Sequence, residues 1–284
     1  QASAGGTIST ELRFARASNP APTDSTAWTV TTLATAVGSC AGRCGDGRVC
    51  LAGAAAGDDE TCATPTTDCA AACADDEACV AGTCRAAIPT PTAVDLPQGT
   101  GLFATLVTLP DGRFAIVHYD RSRTSLVLLV ETAAGSSAFA ETVLDGTGDR
   151  GLWASAVVSP DGTLHVAYQD ARADTVNYLT WSGGTASPIE LVDDGTRTGD
   201  RTHPVGAGAT VFIGSSGPAI AYQDAATADL VIARKAGAAW TATPLATGRT
   251  LDGFHVAAAG RALAWDALDP TSTPAARMVV QSAP

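Results

Sequence analysis

The chain is short of cations, of aromatic rings and of methionine, and each shortage narrows what it can be. Seventeen Lys and Arg stand against 29 Asp and Glu, for a formal net charge of −12, and the only lysine is Lys235. Phosphate binding needs clustered cations, so this balance excludes nucleic acid as a partner. No apolar run approaches the roughly 18–20 residues that cross a bilayer, so no transmembrane segment is expected. There is no Asn-x-Ser/Thr sequon, because Asn19 precedes Pro20 and Asn177 precedes Tyr178 and Leu179. The sole methionine is Met278 and the chain starts at Gln1, which leads us to expect a processed N-terminus left by a signal peptide. Aromatics make up 5% of the residues within a 45% apolar content, so a core must be built largely from aliphatic side chains.

What is present is more specific. All eight cysteines fall between Cys40 and Cys84. An even number packed into one short segment reads as disulfides and an oxidising compartment. The segment is a duplication: Cys40-Ala-Gly-Arg-Cys44 followed by Cys50 parallels Cys69-Ala-Ala-Ala-Cys73 followed by Cys79, and Cys62 and Cys84 complete the two sets. Two modules of two disulfides follow, with three connectivities open in each. A segment so rich in Ala and Gly cannot form a core of its own and needs covalent staples. Its flanks, residues 63–68 and 88–93, are Pro/Thr-rich and read as stiff linkers.

The rest of the chain repeats. Residues 101–120 and 151–170 are both twenty long, and each centres on Pro-Asp-Gly, at Pro110 and Pro160. A third copy ends at Asp224 and a degenerate fourth at Ala267. Five to seven apolar or alternating residues flank each turn, which predicts hairpins of Phe103–Leu109 with Phe114–His118 and of Trp153–Ser159 with Leu164–Tyr168. Two further strand-like runs follow each hairpin. Four antiparallel strands recurring every 43–54 residues (His118, Tyr168, Tyr222, Trp265) predict an all-β fold, a β-propeller of about four or five four-stranded blades. A β-sandwich is the competitor, although sandwiches rarely repeat a whole four-strand unit. Glu11–Ala17 and Trp28–Leu33 resemble third and fourth strands, and Trp28-Thr-Val-Thr-Thr-Leu33 matches Trp240-Thr-Ala-Thr-Pro-Leu245. The expected division is therefore residues 1–36 as N-terminal strands completing the propeller, 37–87 as the Cys-rich insert and 88–284 as blades. One strand is left over, which points to a five-stranded closing blade or to pairing with another chain.

The Pro-Asp-Gly turn leading into Val166-Ala-Tyr-Gln-Asp170, with the Trp-Thr-x-Thr strand, resembles the repeats of secreted propellers of the sialidase-like, BNR-type superfamily. It is similar in particular to extracellular repeat proteins of myxobacteria that carry Cys-rich spacers. The resemblance implies a secreted or cell-surface bacterial protein. A sialidase Asp-box would read Ser-x-Asp-x-Gly-x-Thr-Trp, and the segment from Ser159 departs from it in spacing and lacks the Trp. The family's catalytic arginine triad finds no matching positions.

Aligned first-strand positions are Phe103, Trp153, His203 and His255, preceded by the repeated Thr-Gly-Asp-Arg ending at Arg150 and Arg201. One ring would gather Asp149, Arg150, Trp153, Asp200, Arg201, His203, Asp252 and His255 as a ligand-binding channel mouth suited to carbohydrate or peptide. The plainer reading is a turn with an inter-blade salt bridge. The set His118, Tyr168, Tyr222 and Trp265 with Asp120, Asp170 and Asp224 reads as inter-blade packing plus a turn-capping Asp. Calcium is the one cofactor the composition allows, at Asp193-Asp194, Asp58-Asp59-Glu60 or Asp75-Asp76-Glu77, but none has calcium-loop spacing. No metal site and no catalytic residue is assigned: the four histidines lack zinc spacing, and the six glutamates fall on outer strands or in the insert. The function expected is a non-catalytic extracellular propeller for surface attachment, assembly, or glycan or protein binding, with self-association through blade edges. The alternative is a sialidase-like glycoside hydrolase.

Overall fold

The computed structural model describes residues 8–38, 40, 44, 47–52, 61–74, 76–88, 99–247, 251–259, 262–269, 271 and 276–282. Asp58, Asp59, Glu60, Asp75 and linker residues 89–93, singled out above, lie outside them. The chain divides into two compact units, residues 1–101 and 102–284.

In the first unit, β1 (Ile8–Ala17) and β2 (Trp28–Gly38) form a two-stranded antiparallel sheet, bulged at Leu12/Arg13. Leu12, Phe14 and Ala36 are buried, whereas Trp28 and Val30 stand exposed. The insert adds β3 (Val49–Leu51), β4 (Thr61–Ala63), β5 (Glu77–Val80) and β6 (Thr83–Ile88) in one sheet of order β4-β3-β6-β5. The two Cys modules thus share a sheet, joined where Cys50 and Leu51 face Ile88 and Ala87. The disulfides are Cys40–Cys50, Cys44–Cys62, Cys69–Cys79 and Cys73–Cys84, the same first-to-third and second-to-fourth pattern twice. A common geometry produces it. Each hairpin places its two cysteines directly opposite each other, Cys50 by Cys62 and Cys79 by Cys84, and the preceding pair hooks one each.

The second unit is all-β and propeller-like. Its first sheet holds β7 (Leu102–Thr108), β8 (Phe114–Asp120), β9 (Ser125–Glu131) and β10 (Phe139–Asp145). The second holds β11 (Arg150–Val158), β12 (Leu164–Asp170) and β13 (Thr175–Ser182), with its fourth position shared by β14 (Thr185–Ala186) and β15 (Glu190–Asp193). Pro188 lies at that break, where a residue without an N–H cannot continue a ladder. The third comprises β16 (Val205–Gly214), β17 (Gly217–Asp224), β18 (Asp229–Ala236) and β19 (Ala239–Ala246). The last has three strands, β20 (Leu251–Ala259), β21 (Ala262–Leu268) and β22 (Ala276–Ser282). All pairs are antiparallel meanders, and the first strands pack in succession, β7 on β11, β11 on β16 and β16 on β20.

The predicted turns form as their chemistry requires. Asp111 accepts from the Arg113 N–H at 3.1 Å and Asp161 from that of Thr163 at 3.1 Å, while Gly112 and Gly162 take φ of 81° and 87°. Only glycine adopts that region without strain.

The middle strands are buried along most or all of their length, so their sequences read as continuous apolar runs such as Leu126-Val-Leu-Leu-Val130. Their side chains form three apolar layers, one at each sheet-to-sheet junction. Three of the four repeated positions, Tyr168, Tyr222 and Trp265, each seal one layer, the packing role expected of them, and the fourth, His118, is buried without belonging to any of the three layers.

Candidate functional site

Every first strand opens with the same backbone device. Glycine at positive φ (Gly101 82°, Gly151 119°, Gly206 105°, Gly253 88°) is followed two residues later by a second positive-φ residue. That residue is Phe103 (52°), Trp153 (53°), Gly208 (67°) or His255 (48°). Register shifts accompany it in each sheet, as at Leu102/Thr105 and Leu152/Ser155. The structure therefore corrects the alignment: the third member of the ring is Gly208, and His203 lies five residues earlier, before β16. Left-handed backbone costs a bulky residue on the order of 1 kcal/mol. Phe103 and Trp153 recover part of this by stacking, with ring centroids 4.7 Å apart and planes tilted 43°. His255 is exposed and its Nδ1 lies 3.0 Å from Asp266.

The charged residues gather at the junctions between sheets. Between the first and second, Arg150 lies 2.6 Å from Asp170 and 3.6 Å from Asp145, and the Tyr168 hydroxyl donates to Asp145 at 2.7 Å. Between the second and third, Arg197 bonds Asp193 at 3.0 Å and Asp224 at 3.1 Å, and the Tyr222 hydroxyl donates to Asp193 at 2.5 Å. The inter-sheet bridge is real at Arg150. In the next copy Arg197 takes the role, and the Arg201 side chain is exposed. Asp149 accepts from the Tyr119 hydroxyl. Asp252 is buried and accepts from the Trp265 indole at 2.9 Å. The turn-capping Asp residues behave as expected: Asp120, Asp170 and Asp224 each accept from backbone N–H groups two or three residues on.

His203 is buried, with Nδ1 2.7 Å from Asp224 and Nε2 3.3 Å from the exposed Asp200. Its bond to Asp224, then that to Asp200, outweighs the cost of burial and raises its pKa. Burial pushes Asp193 and Asp224 up, but bonds from Arg197 and Tyr222 to the first, and from His203 and Arg197 to the second, hold both below the usual carboxylate range. Asp193, Arg197, Asp200, His203 and Asp224 line a cleft of about 730 Å³ that continues past Leu191 and Val231 to Trp240 and Pro244. Five carboxylates face it (Asp193, Asp194, Asp200, Asp224, Asp229), against Arg197 and His203. It suits a neutral or cationic group and repels an anionic one. Sequence reasoning found Asp200 and His203 but missed Arg197, Asp193 as an ion-pair partner, and Trp240 as cleft wall. The identical Thr-Gly-Asp-Arg tetrapeptides drew attention to Arg201 instead.

Among the described residues, the clusters with metal-ligand spacing contain disulfide-bonded cysteines, alone or with Glu77. No helix is long and apolar enough to cross a membrane.

No protein-family model matches the chain, and no curated protein matches it. Among solved structures, it is similar to a GH43 endo-arabinanase from Bacillus licheniformis at 9% identity and a TM-score of 0.39, over 72% of this chain and 84% of that one. It is also similar to a xylan β-1,4-xylosidase from Bacillus halodurans at 12% identity and a TM-score of 0.38, over 83% of this chain and 52% of that one.

Proposed function

We propose that this is a non-catalytic extracellular propeller protein, whose sheets act as blades and whose surfaces serve attachment, assembly or the binding of a glycan or surface protein. The four disulfides support an oxidising, extracellular setting. One observation carries the non-catalytic part. A glycoside hydrolase needs two carboxyl groups facing one cavity, one of them kept protonated by a raised pKa. Asp193 and Asp224 share Arg197 at the cleft and are the one buried pair that lines it, but both are held low and both are consumed by structural partners. The other buried carboxylates among the described residues of this unit are likewise engaged: Asp120 by Arg123, Glu131 by the Phe114 N–H, Asp145 and Asp170 by Arg150, and Asp252 by Trp265. A sialic-acid substrate adds a further demand, arginines in the cleft free to take its carboxylate, and Arg197, the arginine that lines it, is already paired with Asp193 and Asp224.

The hydrolase alternative is tested by incubating the protein with fluorogenic glycosides, arabinan and xylan, alongside Asp149→Ala and Asp200→Ala variants. The expected result is no hydrolysis above buffer. Turnover that either substitution abolishes would overturn the proposal.

A further inference from the structure

The fourth sheet ends on an edge unlike those of its neighbours. An exposed strand edge invites pairing, and folded proteins blunt it with charge, proline, bulges or shortness. β10 carries Glu141, bonded to Arg123 at 2.7 and 3.2 Å, and a register shift at Val143/Asp145. β15 is four residues long. β19 contains Pro244 beside a register shift at Leu230/Val231. β22 is seven residues long and has neither a proline nor a register shift. Its pairing with β21 runs unbroken from Leu268 opposite Ala276 to Ala262 opposite Ser282, and its one charge is Arg277, near its start. Met278 and Val280 are 72% and 62% exposed, the two highest values among the large exposed apolar residues, and alternation puts both on one face. Val279, on the other face, packs against the apolar layer of Leu263 and Trp265.

We propose that β22 pairs with β22 of a second copy, antiparallel about a two-fold axis at Val279. The strand is self-complementary in that register. Met278 faces Val280 of the second copy and Val280 faces its Met278, so the two most exposed apolar residues cover each other. Arg277 meets Gln281, Ala276 meets Ser282, and no like charges are opposed. A centre at Val279 is the one that pairs all seven residues of the strand. The result is a six-stranded sheet across two copies, an isologous contact that closes on itself. The inference rests on the assembly reading above and gives it an address. The competing occupant is β2, whose Trp28–Leu33 segment matches the outer strand β19 in sequence.

Sedimentation and light scattering of the full chain over a range of concentrations test the proposal. The wild type is expected to dimerise and a Met278→Lys/Val280→Lys variant, altered only at exposed positions, to remain monomeric with unchanged circular dichroism. As a register check, Met278→Cys mixed with Val280→Cys should form a disulfide-linked heterodimer in clear excess over what either yields alone. A wild type that is monomeric at every concentration, a dimer indifferent to the double Lys change, or cross-linking without preference for the mixed pair would each overturn it. A monomer without hydrolase activity would sink the strand pairing while leaving the non-catalytic reading intact.

Discussion

In residues 61–88 a hairpin and two disulfides hold the chain with little apolar burial, whereas in residues 102–268 Tyr168, Tyr222 and Trp265 are sealed between sheets. Residues 61–88 hold no aromatic ring and residues 102–268 hold 13 of the chain's 15, and the two regions are stabilised differently. The insert limits the freedom of its unfolded state: closing a loop of ten or so residues contributes roughly 3 kcal/mol by chain entropy. The sheets gain stability from area removed from water, at about 25 cal/mol per Å² of apolar surface. The first strategy works at any size but depends on redox conditions. The second needs a repeat, because each sheet has a face that only the next sheet can cover.

The two regions part most sharply under a reductant. Dithiothreitol, or Cys69→Ala with Cys79→Ala, should remove hydrogen-exchange protection from β5 and β6, at a loss of about 2–5 kcal/mol, and leave β8, β12 and β17 protected. Equal loss of protection in both units would mean that they do not differ as described. Next in size is the ion pair that joins the first two sheets. Arg150→Met removes the cation shared by Asp145 and Asp170, which keep their bonds from Tyr168 and the turn backbone, and should cost about 1.5–3 kcal/mol in urea unfolding. Arg201→Met, the same change at the sequence-equivalent residue, should stay within about 0.5 kcal/mol. Similar losses at the two positions would show that the Arg197 substitution of roles is wrong.

The smallest effect is an alkaline-side loss of stability that arises at the second junction. His203 has a raised folded pKa, so the stability it contributes is complete below its unfolded value of about 6.5 and is lost as pH rises through the folded value. Burial lowers the pKa of His118 and His165, so these two act in the opposite sense and subtract stability as pH falls below about 6.5. His203→Asn should therefore remove the decline on the alkaline side of the urea-midpoint profile and keep the decline on the acid side. A variant with an unaltered alkaline-side decline would rule out the His203–Asp224 bond as its source.

Much of the second unit was legible because its signals are local. Pro-Asp-Gly with an αL glycine dictates a hairpin, and the doubly buried middle strands advertise themselves as unbroken apolar runs. The duplication of the Cys modules was equally plain. Their connectivity was not, because it depends on which cysteines face each other across a hairpin. The ring alignment failed at His203 for a comparable reason. The segment between β15 and β16 is longer than its counterpart before β11, so identical tetrapeptides ending at Arg150 and Arg201 fall at different places, and the salt bridge passes to Arg197. Ion-pair partners at sheet junctions are long-range facts, and repeats in sequence do not oblige them to repeat in space.

The paired glycine and bulge at the head of each first strand has an implication for variation. Strand pairing resumes only beyond the irregularity, at Thr105, Ser155, Thr210 and Ala257, so the residue held inside it is uncoupled from the register of its sheet. Phenylalanine, tryptophan, glycine and histidine already occupy that one position in four consecutive sheets. Unlike side chains are thus accepted there on an unchanged frame. Phe103 and Trp153 also pack against the apolar layers, so varying the exposed His255 is the route to a new surface chemistry that leaves the scaffold as it is.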